Sequence, residues 1–471
     1  MQDIAALLDS YLDLARHLDP LRHPDGAPES VRQRLGRFDT PWLVAQAAAL
    51  RSIAHAIEDL DAVEVLDDEV DRTMLLDTIR GDILAIEAAT QAEGADPAPP
   101  LRHAVDALME LMDEAFDSDA ETGLRARITA LPEFLASVRL ETRPVPDQLA
   151  DDAVALVDEL DDLLDEASEY LDDLAVQPAL VALAEHRRWL ESEVPRGGVP
   201  GLGEEALERR LALLAHEPVG VRGTLRILEL RRTGVERSLH AVALALGSTA
   251  PTALVEELRE SGEIGFDELA TEWPESWERI QAEMFTLGLP VTGVECTDDP
   301  LDATDRHSLP VEAIRAHAEL MLEAARRSQL RTVRAVLVAP GLSMGWGRTV
   351  AALLRSTIVG GSEEQQLMMC FRALVESVAA EVDLLLQARR LDREAATAYL
   401  MEHTGLSESE AQLVVFEVAS QPLEALAAAL AHEAWQSWYA DDGGDPVAFI
   451  RRALAGGGLA VRLARWARGQ D

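Results

Sequence analysis

The sequence predicts a mainly α-helical protein, and three observations carry that prediction. Ala and Leu dominate a chain that is 48% hydrophobic but only 4% aromatic, and such side chains lose little freedom in a helix. Apolar residues recur at spacings of three and four along most of the 471 residues, which stacks them on one helical face. Start and stop signals punctuate those runs.

The opening segment, MQDIAALLDSYLDLARHLDP, reads as an amphipathic helix. It lacks the basic region and continuous apolar stretch of a signal peptide. Thr40-Pro41 is expected to open the next helix, with Thr40 as N-cap and Pro41 at the first helical position. Leu43, Ala47, Leu50, Ala54 and Ile57 then share a face, as do Leu75, Ile79, Ile83 and Ile86. Residues 103–116, 125–139 and 147–175 continue the pattern, the last two separated by Pro144 and Pro146. The stretch Pro195 to Gly201, rich in Gly and Pro, is the expected boundary between a lobe of residues 1–195 and a lobe of residues 196–471.

Helices are expected to resume at about 203–216 and 220–247. Residues 285–309 are the least regular and suit an ordered loop or a short strand. Further helices are expected over 310–328, 346–358, 363–390, 392–403, 407–418 and 422–438. Gly405 ends one of them, and Ser407 with Glu410 forms the capping box of the next.

The formal net charge is −43, and every basic residue is arginine. A polyanion repels phosphate backbones and anionic lipids, so neither nucleic acid nor a membrane is an expected partner. No run of 18 apolar residues occurs. Two cysteines, Cys296 and Cys370, make no disulfide framework. A cytoplasmic, reducing location is therefore expected.

Chemical motifs are sparse. DDxxD occurs at Asp67, Asp68 and Asp71 and again at Asp161, Asp162 and Asp165. Such pairs bind magnesium diphosphate in isoprenoid synthases, but no basic cluster accompanies them, and a solvated acidic face is the better reading. His216-Glu217 and His432-Glu433 lack a second histidine one turn on, so neither can grip zinc from one helix. His186 is likewise isolated. Ser343 and Ser362 lie near glycines without a nucleophile elbow, and Gly341, Gly345 and Gly347 precede a helical segment without a dinucleotide fingerprint.

Several stretches nevertheless carry a likeness. Asp71-Arg72 precedes the Leu75–Ile86 helix, residues 127–135 read RITALPEFL, and residues 201–206 read GLGEEA. Most specific is 392–422, DREAATAYLMEHTGLSESEAQLVVFEVASQP. With these elements the chain resembles, essentially end to end, the large bacterial family labelled domain of unknown function 885. Members of that family resemble all-helical zinc peptidases such as the carboxypeptidase Taq group. The resemblance implies a large, two-lobed, zincin-related helical fold with a central cleft.

The same resemblance implies a lost metal site. The family's His-Glu-x-x-Pro-Gly-His-His stretch is matched by residues 336–343, VLVAPGLS. Pro340 and Gly341 persist, while Val336, Leu337 and Leu342 stand at metal-binding and base positions. Gly360-Gly361-Ser362 matches the family's Glu-Gly-Trp without a carboxylate. Val382 to Gln387 matches Val-Asp-Thr-Gly-Leu-His, keeping Asp383 but ending in Gln387. The Arg-Tyr pair becomes Glu417-Val418, and a later tyrosine becomes Ala428. Hydrocarbon side chains offer no lone pairs to zinc.

The expectation is a catalytically inactive, metallopeptidase-like protein with no metal and no cofactor. It would bind a peptide, a small molecule or a protein partner. By resemblance alone, the ligand-binding candidates are Pro340, Gly341, Ser343, Trp346, Arg348, Asp383 and Gln387. One alternative is a metal-free enzyme using Asp383, His307, His317 and Glu295 as acid–base groups. Another is an acidic structural or regulatory subunit whose 151–173 helix docks a basic partner.

Overall fold

The computed structural model describes residues 4–18, 33–60, 65–91, 95–113, 118–140, 143–171, 173–214, 219–291, 305–355, 357–358 and 362–469. The protein is mainly α: the described residues form twenty α-helices and one π-helical turn, with two isolated β-bridges and no strand. The chain divides into two compact units. The first comprises residues 1–63 and 75–206, and the second residues 64–74 and 207–471.

In the first unit, α1 (Ile4–Leu18) packs against α2 (Thr40–Glu58), and α3 (Leu66–Gln91) belongs to this unit from Leu75 onward. Helix α2 is capped one residue earlier than Thr40. Asp39 is the N-cap, and its carboxylate accepts from the Trp42 amide at 3.1 Å. A carboxylate at that position satisfies an orphan amide and meets the positive end of the helix dipole. The expected α2 and α3 faces are both buried.

Four helices build the core of this unit: α4 (Ala98–Asp113), α5 (Ser118–Val138), α6 (Asp147–Ala167) and α7 (Asp173–Arg188). Helix α4 packs on α6, and α5 on α7. The run 147–175 is thus two helices, not one. At the break the Ser168 hydroxyl bonds back to the Asp165 carbonyl at 2.6 Å. Such local bonding competes with helix propagation, and the acidic last turn opposes the helix dipole. A π-helical turn, Trp189–Glu193, follows α7. Val145 and Arg196 then form a parallel bridge.

The second unit is centred on a long helix, α15 (Glu363–Gln387), buried on nearly every side. Around it stand α9 (Gly220–Ala245), α16 (Arg393–Thr404), α17 (Glu408–Ser420) and α18 (Glu424–Asp442). Helix α14 (Leu342–Leu354) packs on α18 and on α12 (Leu309–Arg327). The remaining elements are α8 (Glu204–Leu214), α10 (Pro251–Gly262), α11 (Phe266–Thr286), α13 (Thr332–Val336), α19 (Pro446–Leu454) and α20 (Val461–Trp466). Helix α11 fills an interval that the sequence reading leaves unassigned. Its buried Trp273, Trp277, Ile280 and Met284 recur at spacings of four and three. Ser407 and Glu410 form the expected capping box, and Gly405 ends α16 in the left-handed conformation at φ 79°.

Gly345 and Gly347 lie inside α14, not ahead of it. Their small size sets how closely α14 approaches its neighbours. A β-carbon on Gly345 would stand 2.6 Å from the Ala431 methyl and 2.8 Å from the His432 amide nitrogen. One on Gly347 would stand 2.6 Å from the Glu319 carboxylate. Gly341, at φ 67°, meets the backbone of Ala427 and Ala428.

Residues 64–74 sit with the second unit for an electrostatic reason. Asp71 accepts from Arg331 Nη1 and Arg334 Nε, each at 2.6 Å. Asp68 accepts from Arg331 at 2.7 and 2.8 Å, and Asp67 from Arg334 at 2.7 Å. The first DDxxD therefore pairs with two guanidiniums, Asp71 buried beneath them and Asp67 and Asp68 keeping part of their side chains in solvent. In the second motif, Asp161, Asp162 and Asp165 are exposed along α6, as a solvated face requires.

Gly345→Ala is expected to destabilise the second unit by ~1–3 kcal/mol through overpacking against α18. Gly234→Ala, where nothing lies within 4 Å of the added carbon, is expected to stabilise α9 by ~0.5–1 kcal/mol. Urea unfolding of the two variants measures both.

Candidate functional site

The helices around α15 bury an unusual amount of charge. Arg231 comes from α9, Glu312, Arg315 and Glu319 from α12, and Arg348 and Thr349 from α14. Arg372, Glu376 and Ser377 come from α15, and His432 and Glu433 from α18. Burying so many ionised groups is costly unless each finds a counter-charge or hydrogen bond.

Glu376 is the centre. Its carboxylate lies 2.6 Å from Arg315 Nη1, 3.4 Å from Arg348 Nε and 3.6 Å from Arg372 Nε. Burial alone would raise its pKa, but the surrounding arginines outweigh this and hold it well below the usual carboxylate range. Arg372 also pairs with Glu312 at 2.7 Å. Arg231 donates to Ser377 Oγ at 3.1 Å and to the Ala429 carbonyl at 3.2 Å, and stands 3.4 Å from Glu433.

The compensation is incomplete at one side. Arg348 Nη1 and Arg315 Nε are buried with no hydrogen-bond partner among the described residues. Burial lowers the pKa of Arg231 and Arg348, and neighbouring guanidiniums lower both further. Burial, with Arg231 and Arg348, also holds His432 well below its ordinary value, so its imidazole is neutral. Thr349 Oγ1 lies 2.9 Å from His432 Nδ1 and donates to the Gly345 carbonyl at 2.7 Å. Glu319 shares the cluster without a direct ion pair among the described residues. Burial pushes its carboxyl up to about 6.

A second buried cluster on α15 is closed. Glu381 accepts from Arg232 Nε at 3.0 and 3.2 Å and from the Tyr399 hydroxyl at 2.5 Å. Arg232 also reaches Glu236 at 2.8 Å and His403 Nδ1 at 3.2 Å.

The candidates chosen by resemblance fall in several places. Arg348 belongs to the charged cluster. Trp346 is core: its indole donates to the Ala318 carbonyl at 3.0 Å and packs on Trp435 at 4.9 Å. Pro340 is an exposed turn residue, Ser343 is half-buried in the first turn of α14, and Gln387 is buried near the end of α15. Asp383 is a helix cap. Its two oxygens accept from the Leu423 and Leu426 amides at 3.0 and 3.1 Å. Leu423 holds a left-handed φ of 72° there, where the chain enters α18. Gly341, Trp346 and Asp383 thus all meet α18, but at separate points along it.

Of the acid–base alternative, Asp383, His317 and His307 each meet different neighbours, and Glu295 lies outside the described residues. Burial pushes Asp383 up to about 7, against the pull of the two amides. His317 stacks on Trp277 at 3.8 Å, with Nδ1 at 2.7 Å from the Ala313 carbonyl, and burial pulls it down to about 4. His307 is half-buried beside Gly262. Glu295, Cys296, His216, Glu217, Gly360 and Gly361 lie outside the described residues, as does most of the irregular 285–309 stretch. His186 is a core residue against Trp189, Cys370 is a buried thiol, and Ser362 caps α15. Among the described residues no three His, Cys, Asp or Glu side chains converge as a ligand set for a metal ion.

The sequence reading missed Arg231, Arg315, Arg372, Glu312, Glu319 and Glu376. One signal was present. Arg315 interrupts a stripe of buried residues, Val311, Ile314, Ala318, Met321 and Leu322, along α12. A charge inside an apolar stripe calls for a buried partner.

No family model and no curated protein matches this chain. Solved structures do, two of them along essentially their whole length. One is a candidate lipoprotein of unknown function from Shewanella oneidensis, with a TM-score of 0.72 at 14% identity over 99% of each chain. The other is a candidate lipoprotein from Colwellia psychrerythraea, with a TM-score of 0.75 at 13% identity, covering 100% of this chain and 99% of that one. At such identities the likeness shows a shared fold alone. No single described helix is long and apolar enough to cross a membrane.

Asp383→Ala leaves two buried amides without an acceptor and is expected to cost ~2–4 kcal/mol in urea unfolding. Glu319 generates a pH dependence. Its pKa rises from 4.5 to about 6 on folding, so its contribution is complete below 4.5 and is lost as pH rises through 6. Glu319→Gln should therefore gain stability over the parent chain above pH 6, by up to about 2 kcal/mol. The two chains should converge below pH 4.5 in unfolding curves recorded across that range.

Proposed function

We propose that this protein is a non-catalytic relative of the zinc peptidases its sequence resembles, a metallopeptidase-like helical scaffold that binds a ligand without cutting it. One observation carries this reading. Leu337 and Leu342, at positions matched to the zinc motif, are 0% and 1% exposed and pack into the core of the second unit. A site filled with hydrocarbon has no electron pairs to give a cation, and without zinc no bound water has its pKa lowered for attack.

The disposition of the other matched positions supports the same reading. Asp383, where the family keeps an acid, is committed to two backbone amides at the start of α18. Ala428, where the family places a tyrosine, is buried against Gly341. The buried polar groups of the second unit are mostly arginines and glutamates paired with one another, a set suited to holding a charged ligand. The ligand class stays as the sequence implies it: a peptide, a small molecule or a protein partner.

Metal analysis of the purified chain tests this. The expected result is far less than one zinc per chain, with no change in melting temperature on adding a chelator. One tightly held zinc per chain, with a marked fall in melting temperature on chelation, would overturn the proposal.

A further inference from the structure

We infer that Arg231 and Arg348 form a receptor for a small oxyanion, a carboxylate or phosphate group, in the second unit. Two contacts bring these residues to one place. Arg231 holds Ser377, whose chain neighbour Glu376 faces Arg348. Arg231 also faces Glu433, whose neighbour His432 bonds Thr349, the residue after Arg348. The two guanidiniums are close enough to repel one another, and both lie within reach of the His432 imidazole, which bonds the Thr349 hydroxyl.

Arg348 is the less satisfied of the pair. Nη1 is buried with no acceptor, and Nε has only Glu376 at 3.4 Å, a carboxylate already claimed by Arg315 at 2.6 Å. A buried donor left unmade carries its full desolvation penalty. A planar guanidinium offers paired donors that match a carboxylate or phosphate edge. The site is not sealed: the Arg348 side chain is 15% exposed and that of Glu433 35%. An anion entering there would complete the hydrogen bonding of Arg348 and relieve its repulsion with Arg231. The arrangement goes beyond the proposed scaffold role and stands without it, since zinc content bears on that role and not on this site.

The test uses the full chain in an amine buffer free of other oxyanions. Melting is followed while inorganic phosphate, succinate or, at matched ionic strength, sodium chloride is added. The melting temperature should rise saturably with phosphate or succinate and not with chloride. The anion acting at lower concentration identifies the headgroup. Arg348→Met removes the guanidinium fork and should abolish the anion-dependent rise in a chain that still melts cooperatively. Arg348→Lys keeps the charge without the fork and should weaken the response about tenfold. The inference fails if neither oxyanion acts beyond chloride. It fails equally if the anion-dependent rise persists in Arg348→Met, which is the behaviour of an arginine with no part in anion binding.

Discussion

Guanidinium charge buried among helices has to be neutralised where it lies, and that requirement governs the second unit. Arg231, Arg315, Arg348 and Arg372 enter from α9, α12, α14 and α15. Glu376, on α15, gathers three of them. Each ion would cost several kcal/mol to desolvate without its partners. A slip of one helix by a single turn would strand a charge, so the pairs fix register among helices whose apolar surfaces alone would tolerate more than one packing.

That network depends on close packing elsewhere. Gly341 and Gly345 bring α14 against the backbone of α18, and Gly347 leaves room for the Glu319 carboxylate. Asp383 then determines where α18 begins. It receives two amides at a point where Leu423 adopts a left-handed conformation that side chains with a β-carbon avoid. Small residues, one cap and one set of ion pairs act together. The glycines permit the approach, the cap sets its level, and the charges lock it.

Much of the helical fold was legible because helices are specified locally. The buried faces of α2 and α3 and the Ser407–Glu410 box follow from spacing and capping within a few residues. Where local signals compete, the reading slipped, by one residue at the start of α2 and by about two turns at the end of α6. Asp39 outranks Thr40 as the cap of α2, and Ser168 breaks a continuous apolar pattern. The site was far less legible. Arg348 and Asp383 were among the residues singled out, but with no indication that one is a buried cation and the other a helix cap. Arg231, Arg315, Arg372 and Glu376 went unremarked because an arginine four residues from a glutamate looks the same on a solvated face and in a core.

The first DDxxD makes the same point. Asp67, Asp68 and Asp71 find Arg331 and Arg334 more than 250 residues away in sequence, a pairing that no local pattern contains. The sequence alone determined the helical class, many of the helices and the apolar character of positions 336, 337 and 342, since these depend on side-chain chemistry and near neighbours. Tertiary structure decided which charges are buried, which acids serve as caps and which arginines stand together. Those outcomes depend on distances between helices, and the free energy of an ion is set by what surrounds it in space.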